Sequence, residues 1–453
     1  MKKFKNLRNS IVGVDTAVPL PDGRLVSYIN FDNAATTPPF KSVMKKINDF
    51  APWYSSIHRG KGYKSVLSSQ DYEKSREIIA DFVNCDLDTH EVIFVKNTSE
   101  AINKLAARLA EQNEDDDNVN DEDDKVVLTS EMEHHSNDLP WRGKFKVDYI
   151  KTDKYGRLSL EDVEAKLIQY RGRVELVTVA GVSNVTGYIN PVYKIAALAH
   201  SYGTKILVDG AQLIPHLAFD MKSENVDEQI DFLVFSAHKM YAPFGIGVLI
   251  TPTSVMEKGS PDYSGGGTVE IVTQNQIIWD SPPHKDEAGT PNIMGVVALV
   301  EAIKTLEDIG MDLIEKQERN LTEYAFAKLR RIKDLIIYGD YDLDNRVGII
   351  PFNIDGLTDE LVATELSNKA GIAVRNGCFC AHPYVKEILN ISDKVMIRRI
   401  NNPNLPRPGL VRASFGLYNT TDEIDKLVEM IKKLVQNKNE YSRKYREINK
   451  TIR

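Results

Sequence analysis

Two stretches of the chain carry chemistry that can be read from residue types alone. Val208-Asp209-Gly210-Ala211-Gln212 closes one apolar run with a carboxylate, and Phe235-Ser236-Ala237-His238-Lys239 closes the next with an amine. A carboxylate can hold a pyridine nitrogen protonated and an amine can condense with an aldehyde. These are the two demands of pyridoxal phosphate used as an electron sink. Taken singly, a lysine in a turn is a solvated charge and an aspartate at a strand end is a helix cap. The pairing carries the reading.

Such a pair must be positioned by a sheet. Tyr72 to Val83 and Ser99 to Leu109 have helical periodicity, whereas Glu91 to Val95, Lys125 to Thr129, Leu176 to Ala180, Lys205 to Val208, Phe232 to Phe235 and Gly247 to Ile250 are short apolar runs of the buried-strand type. Helix and strand alternate, as in α/β folds, where ligands sit beyond the carboxyl ends of the strands. Asp209 and the Ser236 to Lys239 turn fall there. A helical region from about Pro291 to Lys333 leads to strands near Val347 to Ile354. Thr420-Thr421-Asp422-Glu423 reads as a capping box ahead of the apolar stripe Ile424, Leu427, Val428, Ile431, Leu434 and Val435. Residues 401–409, with three prolines, form a linker, and the acidic run 111–124 reads as a mobile surface loop.

Composition bounds the partners. With 453 residues, 42% of them hydrophobic, the chain can bury a large core and a smaller second lobe. A net charge of -8 gives no general attraction to nucleic acid or to an anionic membrane, and no apolar run approaches a bilayer span. The expectation is a cytoplasmic protein with neither partner. Three cysteines, Cys85, Cys378 and Cys380, cannot make a disulfide framework.

Several separated motifs, in order, resemble the class V aminotransferases and, within them, the cysteine desulfurase and selenocysteine lyase group of the sulfur-mobilisation type. They are Asp32-Asn33-Ala34-Ala35-Thr36, His58-Arg59-Gly60, Asn97-Thr98-Ser99-Glu100, Glu133-His134-His135, Ser183-Asn184-Val185-Thr186-Gly187, the two opening stretches, Glu287-Ala288-Gly289-Thr290-Pro291, Arg375-Asn376-Gly377-Cys378-Phe379-Cys380 and Val411-Arg412-Ala413-Ser414. The resemblance runs from about Phe31 to Leu434. It implies the fold type I architecture of pyridoxal phosphate enzymes: a large α/β domain around a mostly parallel sheet, plus a smaller α+β C-terminal domain. The corresponding boundaries are an N-terminal segment 1–30 packing with the small domain, a cofactor domain 31–305, and a small domain 306–453 carrying the cysteine loop.

The resemblance also assigns roles. Asp209 pairs with the pyridinium nitrogen, and Gln212 and Asn184 bond the phenolic oxygen. His134 stacks on the ring and is placed to move a proton. With no cysteine or carboxylate at ligand spacing, the His134-His135 pair gives no reason to expect a metal. Thr98 and Ser99, opening a helix, join Ser236 and His238 in holding the phosphate. Thr290 reaches the phosphate of a neighbouring subunit, which implies a homodimer. Arg375 takes the substrate carboxylate, with Arg412 assisting, and Asn33, Ala34 and His58 line the substrate pocket. Lys239 holds the cofactor and moves the substrate's α proton.

Cys380 then decides the reaction. A thiolate there attacks the sulfur of bound L-cysteine, leaving L-alanine and a Cys380 persulfide for a carrier protein or an iron-sulfur assembly scaffold. Selenocysteine is a second expected substrate. Without that thiol the same scaffold would be a C-S lyase, an epimerase or an aminotransferase, and without cofactor a binding or scaffold protein. Two features depart from the group: a second cysteine at 378, and a segment 383–409 longer than expected.

Overall fold

The computed structural model describes residues 7–114, 125–402, 407–441 and 443. Seven strands form the main sheet, in the order His90–Val95, Gly247–Pro252, Phe232–Ser236, Lys205–Asp209, Val174–Ala180, Val126–Ser130, Lys146–Ile150. Gly247–Pro252 runs antiparallel to both of its neighbours, and the remaining pairings are parallel.

The continuous apolar runs are explained by burial on both faces. Alternate residues divide between two clusters: Val92, Val126, Val177, Ile206, Leu233 and Val248 pack on one side, and Ile93, Val127, Leu176, Leu207, Val234 and Leu249 on the other. Helix Thr98–Glu114 covers the second side with Ala101, Ile102, Leu105, Ala106 and Leu109. Each large aliphatic buried there contributes about 1.5–3 kcal/mol, so packing rather than propensity holds this helix. It runs further than expected. Residues 111–114 are helical, held where Gln112 donates to the Val255 carbonyl at 2.7 Å and Glu111 accepts from Ser260. The rest of the acidic run, 115–124, lies outside the described residues.

The sequence shows one helical region between 291 and 333; the structure has two helices, Ile293–Ile309 and Met311–Leu329. Gly310, at φ 92, separates them in a conformation that suits glycine alone. Beyond them an antiparallel sheet in the order Leu335–Ile337, Ile349–Ile354, Leu410–Ser414, Arg375–Gly377 carries its own core. Helix Thr421–Gln436 closes that core, and its Thr420/Glu423 capping box is formed. The N-terminal strand Ile29–Asn30 pairs with Ile372–Ala373, and Ile29 and Phe31 join the same core. The segment after Cys380 holds two short helices, His382–Ile388 and Asp393–Asn401, with 403–406 outside the described residues. Among the described residues no helix is long and apolar enough to cross a membrane.

Candidate active site

A cavity of about 450 Å³ opens at the carboxyl ends of the central strands. Its lining includes thirteen of the sixteen residues singled out above: Ala34, Thr98, Ser99, His134, Asn184, Asp209, Gln212, Ser236, His238, Lys239, Arg375, Cys380 and Arg412.

The floor belongs to the main sheet. Asp209 ends its strand, almost fully buried, and its Oδ1 accepts the Ala211 N–H at 2.9 Å. Burial raises its pKa against the opposing charge of Lys239. Lys239 ends the one-turn helix Ala237–Lys239 that follows the next strand. Loss of solvent brings its amine down to about 8, despite the nearby aspartate. Roughly one such amine in ten is unprotonated at pH 7, against fewer than one in a thousand for a free lysine.

One wall is made of hydroxyls. The Thr98 N–H donates to Ser236 Oγ at 2.8 Å and the two hydroxyls meet at 2.7 Å, while Ser99 Oγ lies 2.5 Å from Ser136 Oγ. These groups surround the first turn of helix Thr98–Glu114, whose free N–H groups and dipole favour an anion. Ser136 was not among the sequence candidates. Its signal was its place directly after the histidine pair, at a turn.

His134 is neutral at physiological pH. Burial, then the charge of Lys239, lowers its pKa to about 3. The Ser136 N–H donates to its Nδ1 at 3.1 Å, which leaves the ring proton on Nε2. A flat neutral ring suits stacking better than carrying charge. His238 is likewise lowered, to about 4, by burial and Lys239.

The small lobe supplies the roof. Arg412 is buried: Nη2 pairs with Asp32 Oδ1 at 3.0 Å, Nη1 donates to the Asn184 carbonyl at 2.7 Å, and Nε has no partner among the described residues. Arg375, more than half exposed, lies 3.7 Å from the same aspartate. Arg407, on the long segment and outside the sequence candidates, also lines the cavity.

Cys380 is exposed, on a strained turn. Phe379 and Cys380 take φ values of 51 and 54, a left-handed pair without glycine that costs on the order of 1–3 kcal/mol per residue. Three bonds hold it: the His135 N–H to the Cys380 carbonyl at 2.6 Å, Asn184 Nδ2 to the Phe379 carbonyl at 2.8 Å, and the His382 N–H to His135 Nε2 at 3.3 Å. The amide nitrogen of Asn184, assigned above to the cofactor, is thus engaged by the cysteine loop. Cys378 lines the same cavity but gives its thiol proton to the Pro408 carbonyl at 3.0 Å, and burial pushes its pKa up to about 11. Of the two thiols, Cys380 is the one free to act as a nucleophile.

Three candidates lie elsewhere in the chain. Asn33 is buried as a lock between the N-terminal segment and the small lobe, donating to Ser414 and Asn30 carbonyls and to Asn419, and accepting from Tyr418. His58 bonds Glu73 at 2.8 Å, on the turn before helix Tyr63–Phe82. Thr290 lines a separate cavity of about 420 Å³ with Tyr72, Phe94 and Glu287.

Known proteins resemble this chain over most of its length. Residues 29–427 match the family model described as aminotransferase class-V. A probable cysteine desulfurase of Halalkalibacterium halodurans is 37% identical, the alignment covering 89% of this chain and 92% of that protein. One of Pyrococcus abyssi is 36% identical, over 90% and 94%. Among solved structures, an apo cysteine desulfurase of Thermococcus onnurineus superimposes with a TM-score of 0.79 at 32% identity, covering 90% of this chain and 95% of that one. The cysteine desulfurase CsdA of Escherichia coli gives 0.76 at 27% identity, over 96% and 98%. Since the match runs from Ile29 to Leu427, through both sheets and every residue lining the cavity, this chain belongs to the aminotransferase class-V family.

Proposed function

We infer that the chain is a pyridoxal phosphate-dependent cysteine desulfurase, converting L-cysteine to L-alanine and collecting the sulfur as a persulfide on Cys380. The observation that carries this reading is that the exposed thiol of Cys380, on a pinned and strained turn, opens onto the same cavity as Lys239 and Asp209.

The residues present fit the cofactor. Asp209 is a buried carboxylate beside one N–H donor, and the four hydroxyls of Thr98, Ser99, Ser136 and Ser236 form a cup at a helix N-terminus. Gln212 donates to the Ala34 carbonyl at 2.5 Å, and its Oε1 is buried without a partner among the described residues. When bound, pyridoxal phosphate supplies the electron sink that lets the substrate's Cα proton leave.

The chain's own residues do the rest. Arg375 and the unpartnered Nε of Arg412 orient the substrate carboxylate. Lys239 Nζ receives the Cα proton, an exchange suited to an amine poised near 8. Cys380 Sγ attacks the substrate sulfur: the S–S bond forms as the Cβ–S bond breaks, and protons delivered to carbon leave alanine. The phenyl ring of Phe379, under the Arg412 guanidinium at 4.9 Å, helps to shut water from the reacting atoms.

The same reading extends to assembly and partners. Ile271, Val272, Ile277 and Ile278 are half-exposed on the hairpin of Val269–Val272 and Ile277–Trp279, which supports a homodimer contact. In such a dimer Thr290, remote from its own chain's cavity, serves the partner's. Selenocysteine follows the same path as cysteine, and the persulfide passes to a carrier or iron-sulfur scaffold. The test is alanine formation from L-cysteine by the cofactor-loaded protein, with peptide mass analysis for one added sulfur atom on Cys380. Alanine without sulfur on that peptide overturns the assignment of the thiol; no alanine overturns the activity.

A further inference from the structure

His58, Glu73 and His284 come together outside the lining of the cavity, and none of the chemistry above uses them as a group. One ring nitrogen of each histidine and one oxygen of the carboxylate all lie within 4.8 Å of one another. His58 Nε2 is 2.8 Å from Glu73 Oε1, and the two imidazole rings are 4.9 Å apart at 72°. Tetrahedral ligands bound at 2.0–2.1 Å sit about 3.3 Å from each other. The His58 and Glu73 atoms, at 2.8 Å, are somewhat closer than that, and a His284 ring nitrogen lies within 4.8 Å of both.

Two further features point to a ligand. Nδ1 of His284 is buried and has no hydrogen-bond partner among the described residues, although it sits beside two groups of metal-binding chemistry. His58 is held at φ 67, a conformation uncommon for a side-chain-bearing residue, by its N–H bond to Ser69 Oγ at 2.7 Å. Its ring is therefore presented from a fixed backbone.

The charges around the cluster accept a cation. Arg76 occupies only Glu73 Oε2, at 3.0 Å, and its Nη atoms are neutralised by both oxygens of Glu287 at 2.8 and 2.9 Å. Around the two imidazoles, the two carboxylates of Glu73 and Glu287 stand against the one guanidinium of Arg76.

We propose that His58, Glu73 and His284 form a divalent transition-metal site of the zinc class, with water as the fourth ligand. Two imidazoles and one carboxylate are the donor set of open zinc sites. On binding, the His58 ring proton moves to Nδ1 so that Nε2 can ligate. The metal would join three parts of the chain: the turn at His58, helix Tyr63–Phe82, and the segment from His284 to Thr290. It would stiffen the stretch that carries Thr290, rather than take part in sulfur transfer.

The site is tested with Zn²⁺ and Co²⁺ on cofactor-loaded protein stripped by a chelator. One equivalent of Zn²⁺ per chain is expected, retained in a Cys378→Ser/Cys380→Ser double variant, with affinity lowered about 100-fold or more in His284→Ala. X-ray absorption of the Co²⁺ form of the wild-type chain should show two imidazoles and oxygen with no sulfur, a readout that stands even where His284→Ala fails to fold. Absence of stoichiometric binding overturns the proposal. So does sulfur in the cobalt shell, or binding lost in the cysteine double variant and kept in His284→Ala.

Discussion

The floor and the roof of the cavity are built on opposite principles. On the floor, Asp209 ends one strand of a sheet buried on both faces and Lys239 ends the helical turn after the neighbouring strand, and loss of solvent tunes their protonation. On the roof, Cys380 itself is exposed on a short left-handed turn, held by hydrogen bonds to His135 and Asn184 and by its buried neighbours Phe379 and Ala381. The difference matches the tasks. Proton transfer needs groups whose charge is set by a fixed dielectric, whereas a sulfur donor must be reachable by a second protein. The two cysteines show the contrast within three residues. Cys378 is drawn towards the floor's regime, half-buried and held protonated, while Cys380 is left outside it.

Breaking the roof has the largest expected effect. Cys380→Ser should lower alanine formation from L-cysteine by at least about 10³-fold while leaving cofactor absorbance intact, because the nucleophile is lost and the floor is not. A C-S lyase would keep its activity in that variant. The floor is probed by pH. An amine condenses only as its free base, and Lys239 lies near 8, lowered from its ordinary value by burial. The rate of pyridoxal phosphate uptake by cofactor-free protein should rise about tenfold per pH unit up to pH 8 and level off above it. A rate still climbing at pH 10 would mean that the lysine is solvated.

Smaller effects separate neighbouring groups. Ser136→Ala removes one hydroxyl from the phosphate cup and its 2.9 Å contact with His134 Nδ1, leaving the backbone N–H bond in place, and should weaken cofactor affinity about fivefold by equilibrium dialysis, equivalent to about 1 kcal/mol. Cys378→Ala should change alanine formation less than about twofold, since that thiol is tied to the Pro408 carbonyl. A loss as large as that of Cys380→Ser would place both cysteines in the sulfur path.

The floor was legible in the sequence because strand ends and helix starts are local features. Asp209, Lys239 and Thr98 each terminate or open an apolar run, and the fold brings such ends together by rule. The Lys146–Ile150 strand was missed because an edge strand of Lys-Val-Asp-Tyr-Ile buries only Ile150. Arg407 and the trio of His58, Glu73 and His284 depend on tertiary approach between distant segments, which no local pattern reports. Asn33 sits in a motif of the family, yet its side chain is spent on joining the N-terminal segment to the Ser414 strand, and only the hydrogen-bond partners show it.

The most direct test of the roof-and-floor division is a single turnover with L-cysteine, followed by mass analysis of the peptide containing residues 378 and 380. The expected product is one alanine per chain with one added sulfur on Cys380 and none on Cys378. Sulfur on Cys378, or alanine with neither thiol modified, would contradict it.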